Sequence, residues 1–204
     1  ESMFYGSYSF MTYLFKSIIP INLAALHPYP SLIGEPLPWY IYASIVPFIL
    51  LLGLAYMAGK KNRKIAFGAA LFIFPIFPFL QFIPVGSALT AERFTYFPYL
   101  GLFILMALGI EWMIQQSPLK KVKPWKLDVA LLGLCLPFII LSANQIQTWK
   151  DSEALWSQVI KIYPREPKAY MNRADYFLYK RQYKKSFDDL TTCISLNPSF
   201  ARAY

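Results

Sequence analysis

The sequence predicts an all-α fold: a polytopic helical membrane protein of about four spans plus an interfacial helix, followed by a soluble tail of helical hairpins. Three observations carry this. The chain is 56% hydrophobic and 18% aromatic with only 15% charged residues, and its apolar residues gather in runs near the length of a bilayer crossing. Short loops dense in Lys and Arg separate some of those runs. From residue 147 onward the composition changes and the chain repeats itself at a fixed period.

Four stretches are long enough to cross roughly 30 Å of hydrocarbon at helical rise. They cover residues 39–59 (WYIYASIVPFILLLGLAYMAG), 65–84, 97–116 and 127–146. Pro75 and Pro78 are expected to kink the second. The segment YSFMTYLFKSIIPINLAAL, residues 8–26, is apolar but carries Lys16 and Pro20 mid-run, and reads as an amphipathic helix lying in the interface. The following HPYPSLIGEPLPW is a proline-rich loop, so residues 1–38 form an interfacial helix and loop ahead of the transmembrane region at 39–146.

KKNRK (60–64) joins the first two spans and KKVKPWK (120–126) the last two, each with four cations, whereas the loop at 85–96 has only Arg93. The positive-inside rule then places both basic loops in the cytoplasm, and the 85–96 loop, the proline-rich loop and the tail on the periplasmic or lumenal side. The net charge of +9 resides largely in such clusters; no arginine-rich arm or basic helical face points to nucleic acid. Cys135 lies in an apolar run and Cys193 in a tail helix, which implies neither a disulfide nor a metal site. The chain opens at Glu1, shows no signal-peptide pattern and reads as a piece of a longer protein.

The tail, residues 147–204, repeats every 34 residues: Ser152 with Ser186, Ile160 with Ile194, Pro164 with Pro198, Tyr170 with Tyr204. This is the tetratricopeptide pattern, with one complete unit at 167–200 bearing Tyr170, Ala174, Phe177, Tyr183, Ser186, Leu190, Cys193 and Pro198. Small residues let paired helices approach and large ones fill the gaps between pairs. Arg173 occupies a position that usually holds Leu, and Arg181 one that usually holds Gly. So short a solenoid cannot bury its own core, and further repeats are expected in the full protein.

Between the second and third spans lies SALTAERFTYFPYLG, residues 87–101. Glu92 and Arg93 fall at the membrane surface with Tyr96 beside them. Two readings stay open: an interfacial ion pair within an aromatic belt, or a contact for a lipid phosphate, to which a guanidinium fork is suited. His27, Glu35 and Lys16 are weaker candidates for ligand, metal or phosphate contacts. Glu111 falls near the cytoplasmic end of the third span, where it reaches the interface.

The order of these features, with Ala91-Glu92-Arg93 followed by Tyr96 and Pro98, and TWKDSEALW at 148–156 leading into the repeats, resembles the C-terminal part of the transmembrane-and-tetratricopeptide O-mannosyltransferases and their bacterial relatives. The resemblance spans most of residues 70–204. It implies a GT-C-type polytopic glycosyltransferase that moves a sugar from a polyprenyl-phosphate donor to a protein or glycan on the non-cytoplasmic face. In that setting Arg93 would neutralise the donor phosphate, and Glu92 would orient Arg93 or contact the sugar or a metal ion. The resemblance places the catalytic acids in a first outward loop absent from this sequence, so no catalytic residue is assigned, and a divalent metal is left open. Implied partners are membrane lipid and a protein acceptor held by the repeats. The alternative is a non-catalytic, membrane-anchored scaffold that uses the repeats to assemble a complex.

Overall fold

The computed structural model describes residues 1–30, 36–83, 86, 88–116 and 124–204. Among them the regular structure is helical: α1 (Ser2–Ile18), α2 (Trp39–Ala43), α3 (Ile45–Lys61), α4 (Arg63–Ile76), α5 (Pro98–Gln116), α6 (Pro124–Thr148), α7 (Ser152–Ile162), α8 (Pro167–Tyr179) and α9 (Tyr183–Leu196). Short 3-10 turns occur at Phe77–Phe79, Glu92–Thr95 and Ala201–Ala203. The chain divides into two compact units, Glu1–Ile21 with Tyr29–Leu136, and Asn22–Pro28 with Pro137–Tyr204.

In the first unit α1 begins and ends earlier than the apolar run suggests. Pro20 disfavours helical geometry at the residue before it, and Ile19 leaves the helix with φ −124° and ψ 88°. The first expected span divides into α2 and α3 at Ser44, because Pro47 cannot donate to the carbonyl of Ala43 and its ring crowds that position. The Ser44 hydroxyl instead donates to the Ile41 carbonyl at 2.6 Å and lies 2.8 Å from the Ser7 hydroxyl.

The expected second span differs most. Pro75 is accommodated in the last turn of α4, but Pro78 removes the donor that would reach the Phe74 carbonyl, and the α-helix stops at Ile76. What remains is a helix of 14 residues, about 21 Å at helical rise, followed by a 3-10 turn and a left-handed Gln81 at φ +60°. Among the described residues three helical stretches are long and apolar enough to cross a membrane: Trp39–Lys61, Pro98–Gln116 and Trp125–Thr148. Their side chains are largely exposed within the chain; α3 buries no residue. Apolar helices without a protein covering fit lipid surroundings.

The KKNRK connection is nearly all helix. Only Asn62 leaves α geometry, accepting a hydrogen bond from the Lys64 N–H at 2.9 Å, so α3 and α4 form a tight hairpin. α4 and α5 touch at Gly68 and Gly101, where a Cβ on Gly101 would sit 2.5 Å from the Gly68 carbonyl oxygen and the Phe72 nitrogen. Phe10, Tyr13, Phe72, Ile76, Leu80 and Leu102 form the buried centre of this unit.

In the second unit Asp151 caps α7 by accepting from the Ala154 N–H at 2.8 Å. The repeat is explicit in the structure. α7 and α9 end 34 positions apart at Ile162 and Leu196. Buried Val159 and Ala169 recur as buried Cys193 and Ala203. The Tyr170 hydroxyl donates to the Pro164 carbonyl at 3.1 Å, and the Tyr204 hydroxyl to the Pro198 carbonyl at 3.2 Å. Between α8 and α9 the Gln182 N–H reaches the Phe177 carbonyl at 2.8 Å and the Arg181 N–H the Leu178 carbonyl at 3.0 Å, a Schellman closure with Arg181 left-handed at φ +57°.

Candidate functional site

One face of α1 holds the 89–99 segment. Tyr5, Ser9, Tyr13 and Lys16 lie at helical spacing along it, and each meets the segment in turn. Tyr5 and Leu89 share one buried cluster with Leu37 and Ile41. The Ser9 hydroxyl donates to the Leu89 carbonyl at 3.4 Å. The Tyr13 hydroxyl accepts from the Ala91 N–H at 3.1 Å, and burial pushes that hydroxyl's pKa up to about 12. The Lys16 ammonium donates to Glu92 Oε1 at 2.8 Å, with side-chain exposures of 12% and 22%. Tyr99, from the first turn of α5, donates to the Tyr13 carbonyl at 2.8 Å.

Glu92 therefore turns inward to Lys16, two candidates that the sequence separates by 76 positions. Burial lowers the Lys16 pKa, and the Glu92 carboxylate opposes that shift by favouring the charged form. Arg93 points the other way. It is exposed, its guanidinium carbon lies 5.0 Å from the centroid of the Phe94 ring, and that ring stacks on Phe79 at 4.1 Å and 10°. Among the described residues no carboxylate lies within ion-pair distance of Arg93. The expected Glu92–Arg93 pairing is thus replaced by Glu92–Lys16, since neighbouring residues in a 3-10 turn face different sides. Tyr96 follows on the exposed side, 76% accessible.

The remaining candidates scatter. His27 belongs to the second unit, where it is buried and its Nδ1 lies 2.5 Å from the Tyr163 hydroxyl at the end of α7. Glu35 lies outside the described residues. Glu111 is exposed near the end of α5 and accepts from the Gln115 amide at 3.2 Å. Among the described residues no three His, Cys, Asp or Glu side chains converge as metal ligands do. The sequence reading missed Ser9, Tyr13 and Tyr99 as the frame of the segment. The spacing of 9, 13 and 16 was the available signal, but it does not say what that face touches.

Chemically, the arrangement offers one exposed guanidinium, backed by stacked aromatic rings and carried on a turn braced at several points. Such a group can receive an anion without first breaking an ion pair.

Comparison with known proteins yields three distant relatives. The chain is 26% identical to human "Protein O-mannosyl-transferase TMTC1" over 165 residues, covering 80% of this chain and 18% of the relative. It is 26% identical to the Drosophila melanogaster "Protein O-mannosyl-transferase Tmtc1" over 162 residues, covering 73% and 18%. To the mouse TMTC1 protein it is 23% identical over 164 residues, covering 80% and 17%. The chain thus spans less than a fifth of the length of these curated relatives. No protein-family model and no solved structure matches it.

Proposed function

We propose that this chain is part of a membrane glycosyltransferase and that the α1-braced segment at 89–99 meets the phosphate of a polyprenyl-phosphate sugar donor. The observation that carries the reading is the disposition of Arg93. Glu92 is neutralised by Lys16 within the unit, while the adjacent cation stays exposed on an aromatic platform. When the bond between sugar and phosphate breaks, negative charge grows on the departing phosphate. A pre-positioned guanidinium stabilises that charge with little reorganisation. Tyr96, on the same exposed side, borders the site and can donate to the phosphate or the sugar. Glu92 acts through Lys16 to hold the turn. The catalytic base is assigned to no residue of this chain.

The distant relatives are protein O-mannosyl-transferases, which supports a sugar-transfer role. The transferred sugar would pass to a protein or glycan on the non-cytoplasmic face, in keeping with the basic loops lying in the cytoplasm. The 34-residue helical repeat is read as a tetratricopeptide domain that holds the acceptor or a partner near the membrane.

The test uses the full-length protein in nanodiscs with radiolabelled polyprenyl-phosphate sugars, mannose among them. Arg93→Ala is expected to lower donor retention at least about tenfold, the worth of one charge-assisted phosphate contact, with an unchanged melting temperature; Arg93→Lys recovers part of it. Equal retention by wild type and Arg93→Ala would refute the phosphate contact and favour the membrane-anchored scaffold.

A further inference from the structure

We infer that the groove between α4 and α5, at the end of the first unit that carries the α3–α4 basic hairpin, binds an anionic phospholipid, its headgroup at Lys64 and an acyl chain along α5. The two helices are in contact at Gly68 and Gly101. Towards the hairpin they border an open groove of about 560 Å³, within the size range of small-molecule sites. Its lining is mixed: Asn62, Lys64, Glu111 and Gln115 supply hydrogen-bonding or charged groups, and Ile65, Leu105 and Leu108 supply hydrocarbon. That mixture suits a lipid with a charged head and an apolar tail.

Two further observations point to an occupant. Gly109 lines the groove in the interior of a helix, and a Cβ there would meet no atom within 4 Å. A mid-helix glycine is disfavoured relative to alanine, and here no neighbouring side chain among the described residues fills the space that it leaves. The turn beside the groove is also strongly basic. Lys60, Lys61, Arg63 and Lys64 flank the single residue Asn62; of these Lys64 lines the groove, and Glu111 is the acid among the groove's lining residues. Lys60 lies over the Tyr56 ring at 4.5 Å, and the Glu111 carboxylate accepts from the Gln115 amide at 3.2 Å. An anionic headgroup at Lys64 would sit on the hairpin side of the groove, where the cations outnumber that one acid. Trp112, 63% exposed on the same wall, is placed as residues at a membrane–water boundary commonly are.

The proposal does not depend on sugar transfer. Its test offers the purified full chain, in detergent, equimolar phosphatidylglycerol and phosphatidylcholine, and counts retained lipid by native mass spectrometry. Wild type should favour phosphatidylglycerol about fivefold, the effect of roughly one basic contact. Lys64→Glu removes the headgroup contact and Gly109→Leu fills the space left there; each should bring the ratio to about one without lowering the lipid-free melting temperature. Should Gly109→Leu fail to fold, Leu108→Trp fills the groove from the same wall and is read in the same way. A wild-type ratio near one overturns the proposal. So does a preference that survives either variant, which would assign it to diffuse attraction by the hairpin's cations.

Discussion

Arg181 and Arg173 both stand where a 34-residue helical repeat ordinarily carries another residue, and the structure explains one and not the other. Arg173 donates from Nε and Nη2 to the two carboxylate oxygens of Asp189 at 2.8 and 2.7 Å, and from Nη1 to the Ser157 hydroxyl at 3.0 Å. It ties α7, α8 and α9 together through a planar fork that a leucine lacks. Arg181 has no such compensation in its backbone. Its φ of +57° closes the Schellman turn, a conformation that costs an L-residue roughly 1–2 kcal/mol and glycine little. Part of that gain is returned through glycine's freer unfolded chain. Arg181→Gly should therefore stabilise the α8–α9 hairpin by about 0.5–1 kcal/mol, read as about two- to fivefold slower amide exchange in α8 and α9. Unchanged or faster exchange would contradict the strain assigned to this turn.

Helix α4 shows how one residue type resets an element. Its apolar run is long enough to span a bilayer, yet Pro78 ends the α-helix after 14 residues. The short helix is held by close approach to α5, which leaves no room for a side chain at Gly101. Gly101→Ala should cost about 1–3 kcal/mol through overpacking against backbone, seen as a lower melting temperature in detergent. Gly109→Ala, on the same helix but facing open space, should be neutral or slightly stabilising. Equal effects of the two substitutions would show that the helix crossing does not lie where Gly68 and Gly101 place it. The 3-10 turn at Glu92–Thr95 is the opposite case, a short element with little cohesion of its own. It keeps its place through α1, whose Tyr13 and Lys16 reach Ala91 and Glu92.

At the scale of the molecule the two cysteines report on two kinds of surroundings. Cys135 is exposed on α6, an apolar helix with the length of a membrane span. Cys193 is fully buried among helices of the second unit, where burial pushes its thiol pKa up and Glu166 adds to the shift. In nanodiscs, a membrane-impermeant maleimide should label neither cysteine in the native protein. Urea that unfolds the hairpins should raise Cys193 labelling at least about tenfold, because thiolate supply and access both rise, while Cys135 stays protected by lipid. Rapid native labelling of Cys193 would refute its buried packing, and native labelling of Cys135 would place α6 outside the bilayer.

Much of this fold was legible along the chain because its causes are local. Runs of apolar residues specify helices that no short protein can cover, and a 34-residue period specifies stacked helices whose small and large positions must recur. That recurrence extends to the tyrosine–carbonyl bonds of Tyr170 and Tyr204. The candidate site was legible only in part. Arg93 was found from its type and setting, but its separation from Glu92 was not, because residue spacing says which face a side chain occupies and not what lies opposite. By itself the sequence determined the helical class, the apolar surfaces and the repeat, all products of short-range periodicity and composition. Only tertiary structure decided that Lys16 takes Glu92, that α1 braces the turn, and that Gly101 meets Gly68. Each of these depends on where segments far apart in the chain come to pack.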